Sequence, residues 1–570
     1  MNTDARGYLI ATFEGRYEDG YAIARATNPF ASICGKVCGA PCEKACRRGD
    51  VDAPITIRSI KGFLTSRHGP ETGDLATPLT YSTVRGSTDP KLNGMSVGII
   101  GGGVGGYTCA HDLARMGYAC TLYERHTESG GMLIQGVPIN RLSRQVVKAE
   151  MDSILEYKHV QVKHGCDVGK DICFKEIQAK HEAVFIAVGL MQGRMLSMEN
   201  GDHEDVHPGL EFLFDFNCAT PWDLAGKKCL VIGGGDVAFD VARSALRSKA
   251  PVVNLCCLER EALNEMTGSE DEREGGRREG VIFNDGWGPD EIVVENGQLK
   301  GLKIKKVKRV FDENRRFAPE FLDETRFVEA DKIFMAVGQM ADLSFLDGSG
   351  VTINKRGLID HDPQTMATNV PGVYAGGDVA LGPKLFIDAI SSGSHAALAM
   401  DAYMAKTPLQ KKRRKLTFTD ADTYDRDVDY LLDDRQERDE LDVDPVTEPL
   451  VLGTIEYSEQ VVQDQASRCL LCHIHPTFEG DICILCGGCV DVCPSHCLSM
   501  KSLDQLEDND EVNSLVEKDF GTTEVTSDDC SVMLFDPLKC IRCGMCAQKC
   551  PTGACKMSTN DMVDCYETAE

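Results

Sequence analysis

No stretch of the 570 residues approaches the ~18 consecutive apolar positions of a membrane span. The N-terminus, MNTDARGYLI, has no basic segment leading into a long apolar run, so it does not read as a signal peptide. Basic charge is scarce. Sixty-one Lys and Arg stand against 89 Asp and Glu, a net of −28, which excludes the basic footprint of a nucleic-acid-binding chain. No cysteine falls between positions 258 and 468. These absences predict a cytoplasmic chain with no transmembrane segment and no nucleic-acid partner. In a reducing compartment its 26 cysteines then serve metal sites rather than disulfides. At ~100–200 residues per domain the length predicts three or four domains, and 42% hydrophobic residues suffice for their cores.

The cysteines divide the chain. Four lie between Cys34 and Cys46, eight are scattered from Cys109 to Cys257, and fourteen crowd into the last 102 residues. The middle alternates short apolar runs (SVGII, AVFIAV, CLVI, KIFMAV) with helical patterns, which favours parallel sheets covered by helices. Two acidic stretches, 420–448 (net −10) and 501–529 (net −8), read as solvated linkers and loops, because such composition cannot bury enough surface to fold alone. The KKRRK run at Lys411–Lys415 reads as a charged domain boundary.

Two glycine motifs carry nucleotide chemistry. Gly101, Gly103 and Gly106 follow SVGII and precede a helical pattern. Gly101 permits the tight turn, Gly103 lets backbone approach a pyrophosphate, and Gly106 lets helix pack on strand. The next strand ends in Glu124, 18 positions after Gly106, where an acid accepts hydrogen bonds from ribose hydroxyls. Gly233, Gly235 and Ala238 repeat the turn after CLVI as GxGxxA. Two such motifs predict two dinucleotides, FAD and a nicotinamide. Glu259 ends the second strand of the latter unit and favours the free 2′-hydroxyl of NAD(H). The adjacent Arg260 keeps NADP(H) as the alternative. A third segment, GVYAGGD with Gly377 and Asp378, is expected to place its Asp at the ribityl or phosphate end of FAD.

Cysteine spacing carries the remaining chemistry. Cys483, Cys486, Cys489 and Cys493, then Cys540, Cys543, Cys546 and Cys550, each spell C-x2-C-x2-C-x3-C-P. In such units the fourth cysteine ligates the other cluster. One cubane is therefore expected on Cys483, Cys486, Cys489 and Cys550, the other on Cys540, Cys543, Cys546 and Cys493. Cys34, Cys38, Cys42 and Cys46 recur every fourth position and suit a third cluster, zinc being the alternative. Cys469 and Cys472, in RCLLC, either bind a further metal or pack as small apolar residues. The other cysteines, Cys497 and Cys555 among them, lack ligand spacing and read as buried or incidental. No CxxC pair adjoins the flavin segments, which argues against a disulfide exchanger.

The order Gly101–Gly106, Glu124, SGGMLIQGVPINRL, FIAVG, VIGGGDVAFD, FMAVG and GVYAGGD resembles the flavoprotein family of the glutamate synthase small subunit. Relatives are the NADPH-dependent half of dihydropyrimidine dehydrogenase and the large subunit of the bifurcating ferredoxin:NADP oxidoreductase. The resemblance spans roughly residues 1–405. It implies an FAD domain interrupted by a nicotinamide domain, with Gly131 and Arg141 near FAD. CGKVCGAPCEKAC resembles the family's N-terminal iron–sulfur segment, but the upstream RCLxC of those relatives is missing, so Cys34 becomes the fourth ligand of a single cluster. The family's basic triplet is replaced here by Cys257-Leu-Glu259, against NADPH.

The expected fold is therefore α/β: two Rossmann-like dinucleotide-binding domains, an N-terminal helical iron–sulfur domain and a C-terminal α+β ferredoxin-like domain. The expected boundaries are 1–90 helical iron–sulfur, 91–220 with 345–410 FAD-binding, 221–344 inserted NAD-binding, 411–460 acidic linker and 461–570 two-cluster ferredoxin. The expected cofactors are FAD, NAD(H) and three [4Fe-4S] clusters. A nicotinamide passes electron pairs, a cluster single electrons, and FAD converts between them. No side-chain acid or base is demanded, so no catalytic residue is assigned. The expected function is electron transfer between NAD(H) and ferredoxin or a larger redox enzyme complex, in an oligomer. This arrangement also resembles iron–sulfur flavoprotein subunits of 2-oxoacid:acceptor oxidoreductases and of dissimilatory sulfur oxidation. The alternatives are an NADPH-dependent glutamate synthase small subunit and an electron conduit without nicotinamide activity.

Overall fold

The computed structural model describes residues 3–73, 93–218, 222–314, 316–421, 424, 433–441, 443–502, 505–506, 513–514, 516–518, 521 and 531–568. Most of the acidic stretch 501–529, and part of 420–448, lies outside them.

Two five-stranded parallel sheets form the middle. The first runs Val373–Ala375, Ala183–Ile186, Ser96–Ile100, Ala119–Tyr123, Val160–Lys163. Its central strands are apolar on both faces because helices cover both. Helix Val104–Arg115 packs on one face, and the long helix Phe386–Ala405 crosses it closely. At the crossing a Cβ on Gly393 would stand 2.4 Å from the Gly105 carbonyl oxygen, so only glycine permits the approach. The second sheet runs Val206–Pro208, Lys332–Met335, Lys228–Ile232, Val252–Cys257, Ile282–Asp285. Its edge strand Val206–Pro208 is drawn from upstream of residue 221, by pairing with Ile333–Met335. An antiparallel three-stranded sheet, Trp287–Glu295, Gln298–Phe311 and Phe317–Glu329, packs beside it through Trp287, Ile292, Leu302 and Ile304.

The N-terminal unit is helical: Ala5–Phe13, Tyr17–Arg25, Ala31–Val37 and Ile57–His68. Its core of Tyr8, Leu9, Tyr21, Phe63 and Leu64 is completed from far along the chain by Tyr457, Val462 and Ala466. Helix Glu459–Ser467 thus belongs to this core, and Arg468, fully buried, anchors it. The Arg468 guanidinium donates to the carbonyls of Ala53 (2.9 Å) and Asp433 (2.9 Å) and pairs with Asp52 at 3.0 Å.

The C-terminal unit is α+β. Short helices Gly488–Asp491 and Met545–Lys549 pack together, and strands Leu498–Ser502 and Ser531–Phe535 pair antiparallel. A second small sheet orders Gln410–Asp420, Cys555–Thr568, Ile474–Phe478. The KKRRK run therefore lies within a strand paired with the C-terminal one. Among the described residues no helix is long and apolar enough to cross a membrane.

Candidate redox centre

A cavity of about 640 Å³ opens over the ends of the first sheet. Gly101, at φ +107°, turns so tightly that a Cβ would stand 2.4 Å from the Ala187 carbonyl oxygen. A Cβ on Gly106 would stand 2.1 Å from the Gly101 carbonyl oxygen. Gly103 has nothing within 4 Å of its Cβ position, so its backbone faces open space at the start of helix Val104–Arg115. That combination is a cradle for a pyrophosphate at a helix N-terminus. Glu124, buried, accepts the Gly102 amide at 2.7 Å and the His126 amide at 2.8 Å, which fixes its carboxylate at the cavity wall. Gly131 approaches Gly103, its Cβ position 3.3 Å from the Gly103 Cα. Asp378 begins helix Asp378–Leu381 behind Gly377, and burial raises its carboxyl to about 6. These groups fit FAD: a bare backbone for phosphates, a fixed acid for ribose and a second acid across the cavity.

The second glycine turn repeats the first. A Cβ on Gly233, at φ +142°, would stand 2.3 Å from the Ala336 carbonyl oxygen. Ala238 is fully buried under that turn, and Gly235 precedes helix Asp236–Arg247. The Glu259 carboxylate lies against Gly234, 2.9 Å from its Cβ position, as Glu124 lies against Gly102 at 2.8 Å. Arg260 is held by Glu265, its Nε and Nη2 donating at 2.8 and 2.7 Å.

Arg141 lines the flavin cavity, but its guanidinium is committed elsewhere. It donates to both oxygens of Asp240 (2.6 and 2.8 Å) and pairs with Glu272 at 2.8 Å. Both carboxylates are buried on the nicotinamide unit, so Arg141 ties that unit to the flavin unit. Helix Glu270–Arg278 receives two further ties, Arg58–Asp271 and Arg278–Glu440. These tertiary partners carry no local spacing signal.

The N-terminal cysteines reach the same cavity. Cys38 lines its wall together with Lys36, Gly39 and Arg58. The Cys34 thiol pulls Cys38 down to about 6, and the Ala40 amide, Lys61 and Arg58 act in the same direction. Cys42 lies near Cys38, with Lys61 beside both. Cys46 also lies near Cys472, and both Cys46 and Cys469 pack on the helical core. The RCLLC segment thus docks on the N-terminal unit, which its distance in sequence concealed.

In the C-terminal unit Cys493, Cys540, Cys543 and Cys546 line one small cavity, as the exchange of fourth cysteines requires. Cys489 lies near Cys483, and Cys550 near Cys555. Cys497 and Cys555 are buried, as their lack of ligand spacing suggested: Cys497 Sγ stands 3.3 Å from Cys493 Sγ, and Cys555 reaches Cys546. Among the described residues no three His, Cys, Asp or Glu converge as on a single ion.

The comparisons agree with this geometry. The family model "Pyridine nucleotide-disulphide oxidoreductase" matches residues 95–393. "4Fe-4S dicluster domain" matches 482–554, and "Dihydropyrimidine dehydrogenase domain II, 4Fe-4S cluster" matches 1–71. The chain is 34% identical to the NADP(+)-dependent formate dehydrogenase subunit beta of Moorella thermoacetica, over 82% of this chain and 69% of that one. It is 30% identical to the glutamate synthase [NADPH] small chain of Azospirillum brasilense (70% and 83%). It is also 30% identical to the NAD-dependent dihydropyrimidine dehydrogenase subunit PreT of Escherichia coli O157:H7 (70% and 89%). The chain therefore belongs to the pyridine nucleotide-disulphide oxidoreductase family, as an NAD(P)-dependent iron–sulfur flavoprotein oxidoreductase with 4Fe-4S domains at both ends.

Proposed function

We propose that this chain moves electrons between NAD(H) and a ferredoxin or a larger redox enzyme, through FAD and at least three [4Fe-4S] clusters. The observation that carries the reading is a succession of cysteine sites leading away from the flavin cavity. Cys38 stands in the cavity wall, and Cys46, eight positions on, lies near Cys472. Arg47 donates to the Pro537 carbonyl at 2.6 Å, and Leu470 packs on Ile541 and Cys543. Cys540–Cys550 leads on to Cys483–Cys489, around which Ile482, Ile484 and Leu485 are exposed. When bound, FAD takes electrons in pairs from a nicotinamide and releases them singly to clusters.

The chain's residues have the following roles. Gly101, Gly103, Gly106, Glu124, Gly131, Gly377 and Asp378 hold FAD, and Arg141 holds the nicotinamide unit against it. Gly233, Gly235, Ala238 and Glu259 hold the nicotinamide coenzyme. Cys34, Cys38, Cys42 and Cys46 serve the N-terminal cluster, and the eight ferredoxin cysteines serve the other two. The nicotinamide unit opens near residue 206, ahead of the 221 that sequence suggests. NAD(H) is favoured because Glu259 lies against the glycine turn, where a ribose would meet it, while Glu265 pairs with Arg260. The names of the relatives include both NADP- and NAD-dependent proteins, so the coenzyme is not inherited from them. Several relatives are named as subunits, which supports assembly into a larger complex.

The test is anaerobic reduction of a viologen dye by the purified chain, with acid extraction of its flavin. The reading expects FAD in the extract and dye reduction by NADH. Release of FMN, or a chain inert to both nicotinamides, would overturn it.

A further inference from the structure

The two ferredoxin motifs are related by an approximate repeat, and the departures from it all fall on one site. Each motif has a left-handed residue between its first two cysteines, Leu485 (φ +49°) in one and Arg542 (φ +61°) in the other. Each has a glycine at a helix N-terminus, Gly487 and Gly544. In each the fourth cysteine accepts a backbone amide from a fifth. Cys497 donates to Cys493 Sγ and Cys555 donates to Cys550 Sγ, both at 3.3 Å.

The side chains break this symmetry. Cys497, 6% exposed, places Sγ 3.3 Å from Cys493 Sγ and also reaches Cys540. Cys555, 4% exposed, reaches Cys546. Cys493, Cys540 and Cys546 all belong to one ligand set, completed by Cys543. As cluster ligands they are thiolates and only accept hydrogen bonds, so the fifth cysteines, which ligate nothing, are the donors. Arg542 is buried beside the same set, its guanidinium donating to the carbonyls of Cys540 and Pro537. Its counterpart at the other set is Leu485, uncharged and 41% exposed. The charged residues that adjoin that other set's cysteines in the chain or pack near them, Asp481, Asp491 and Lys549, are exposed, where water screens them.

We propose that Cys497, Cys555 and Arg542 raise the reduction potential of the cluster on Cys493, Cys540, Cys543 and Cys546 above that of its neighbour on Cys483, Cys486, Cys489 and Cys550. Reduction adds one negative charge to a cluster. Hydrogen bonds to the ligand sulfurs and a buried positive charge stabilise that added charge, and hydrogen bonding to sulfur is an established determinant of cluster potential. The favoured site also lies toward the N-terminal unit, through Arg47–Pro537 and Leu470–Cys543. It is therefore the receiving site, and the neighbour with exposed Ile484 and Leu485 is the lower-potential exit.

The inference rests on the ligand sets proposed above. Its test is an EPR-monitored redox titration of the anaerobic full-length chain, with iron analysis, for wild type and Cys497→Ala, Cys497→Ser, Cys555→Ala and Arg542→Leu. Wild-type iron corresponding to fewer than three cubanes would refute the ligand sets themselves. With the clusters present, Cys497→Ala should retain its iron and weaken one reduction step about tenfold, about 59 mV for a one-electron couple. Cys555→Ala and Arg542→Leu should lower that same step. Cys497→Ser, which keeps a donor, should hold it near wild type. Unmoved potentials, shifts in different steps, a serine variant as low as the alanine one, or iron loss in Cys497→Ala would overturn the ordering while leaving the ligand sets standing.

Discussion

Glu259→Arg should turn the coenzyme preference round. The Glu259 carboxylate lies against Gly234, where a ribose following the glycine turn would meet it. A carboxylate there accepts hydrogen bonds from both hydroxyls of an NADH ribose, but it faces a like charge when a 2′-phosphate is present. Hydrogen bonds to a charged group contribute ~1.5–3 kcal/mol, and each ~1.4 kcal/mol is tenfold in affinity. The wild-type chain should therefore prefer NADH by ~10- to 100-fold. Arg260 does not cancel this, because its guanidinium is held by both Glu265 oxygens. Glu265→Gln should loosen that hold and narrow the preference without reversing it. The assay is steady-state dye reduction, comparing kcat/KM for the two coenzymes. Flavin content should be unchanged in Glu259→Arg, since Glu259 belongs to the other sheet. A wild-type kcat/KM higher with NADPH than with NADH would refute the reasoning.

Three further outcomes follow from the packing. Arg141→Ala strands Asp240 and weakens the neutralisation of Glu272, and breaking a buried pair costs ~3–5 kcal/mol, so its thermal midpoint should fall well below wild type. A midpoint within error would show that the Arg141 tie holds nothing. Glu150 is wholly buried, and burial outweighs the Arg25 guanidinium to raise its carboxyl from 4.5 to about 7. A raised acid favours the folded state at low pH and loses that contribution as pH rises through about 7. At 1.36 kcal/mol per unit the full loss is ~3 kcal/mol. Thermal denaturation of Glu150→Gln should lack this decline between about pH 4.5 and 7, and equal slopes in both proteins would contradict it. Anaerobically purified chain should carry at least about twelve irons, four per cubane, and colorimetric iron analysis below that would remove a cluster.

The parts of the site legible in sequence were those whose cause is local. Gly101 and Gly233 are read from spacing because the turn they make excludes a Cβ, whatever lies elsewhere in the chain. The ferredoxin cysteines are equally local, since loop length sets which thiolates can share a cubane. What stayed hidden depends on residues remote in sequence. Arg141 adjoins the flavin segment, but its partners Asp240 and Glu272 lie 99 and 131 positions on. The RCLLC segment gives no sign of its docking site until Arg468 is seen buried beside Asp52 and Ala53. Cys497 and Cys555 fall outside the ligand spacing, and their contacts with Cys493 and Cys546 arise from packing that spacing does not record. The KKRRK run, highly charged, became a strand through backbone pairing with residues 563–567, a long-range effect that its composition opposes.

The central claim is that a nicotinamide, the flavin site and the clusters form one electron path. Anaerobic stopped-flow mixing of the full-length chain with NADH, followed at the flavin and iron–sulfur absorbance bands, tests it most directly. The account predicts bleaching of the flavin band first and of the cluster band after it. In Gly233→Val, whose added side chain would meet the Ala336 carbonyl, both phases should be lost while bound FAD remains. Clusters that stay oxidised beside a fully reduced flavin would contradict the account.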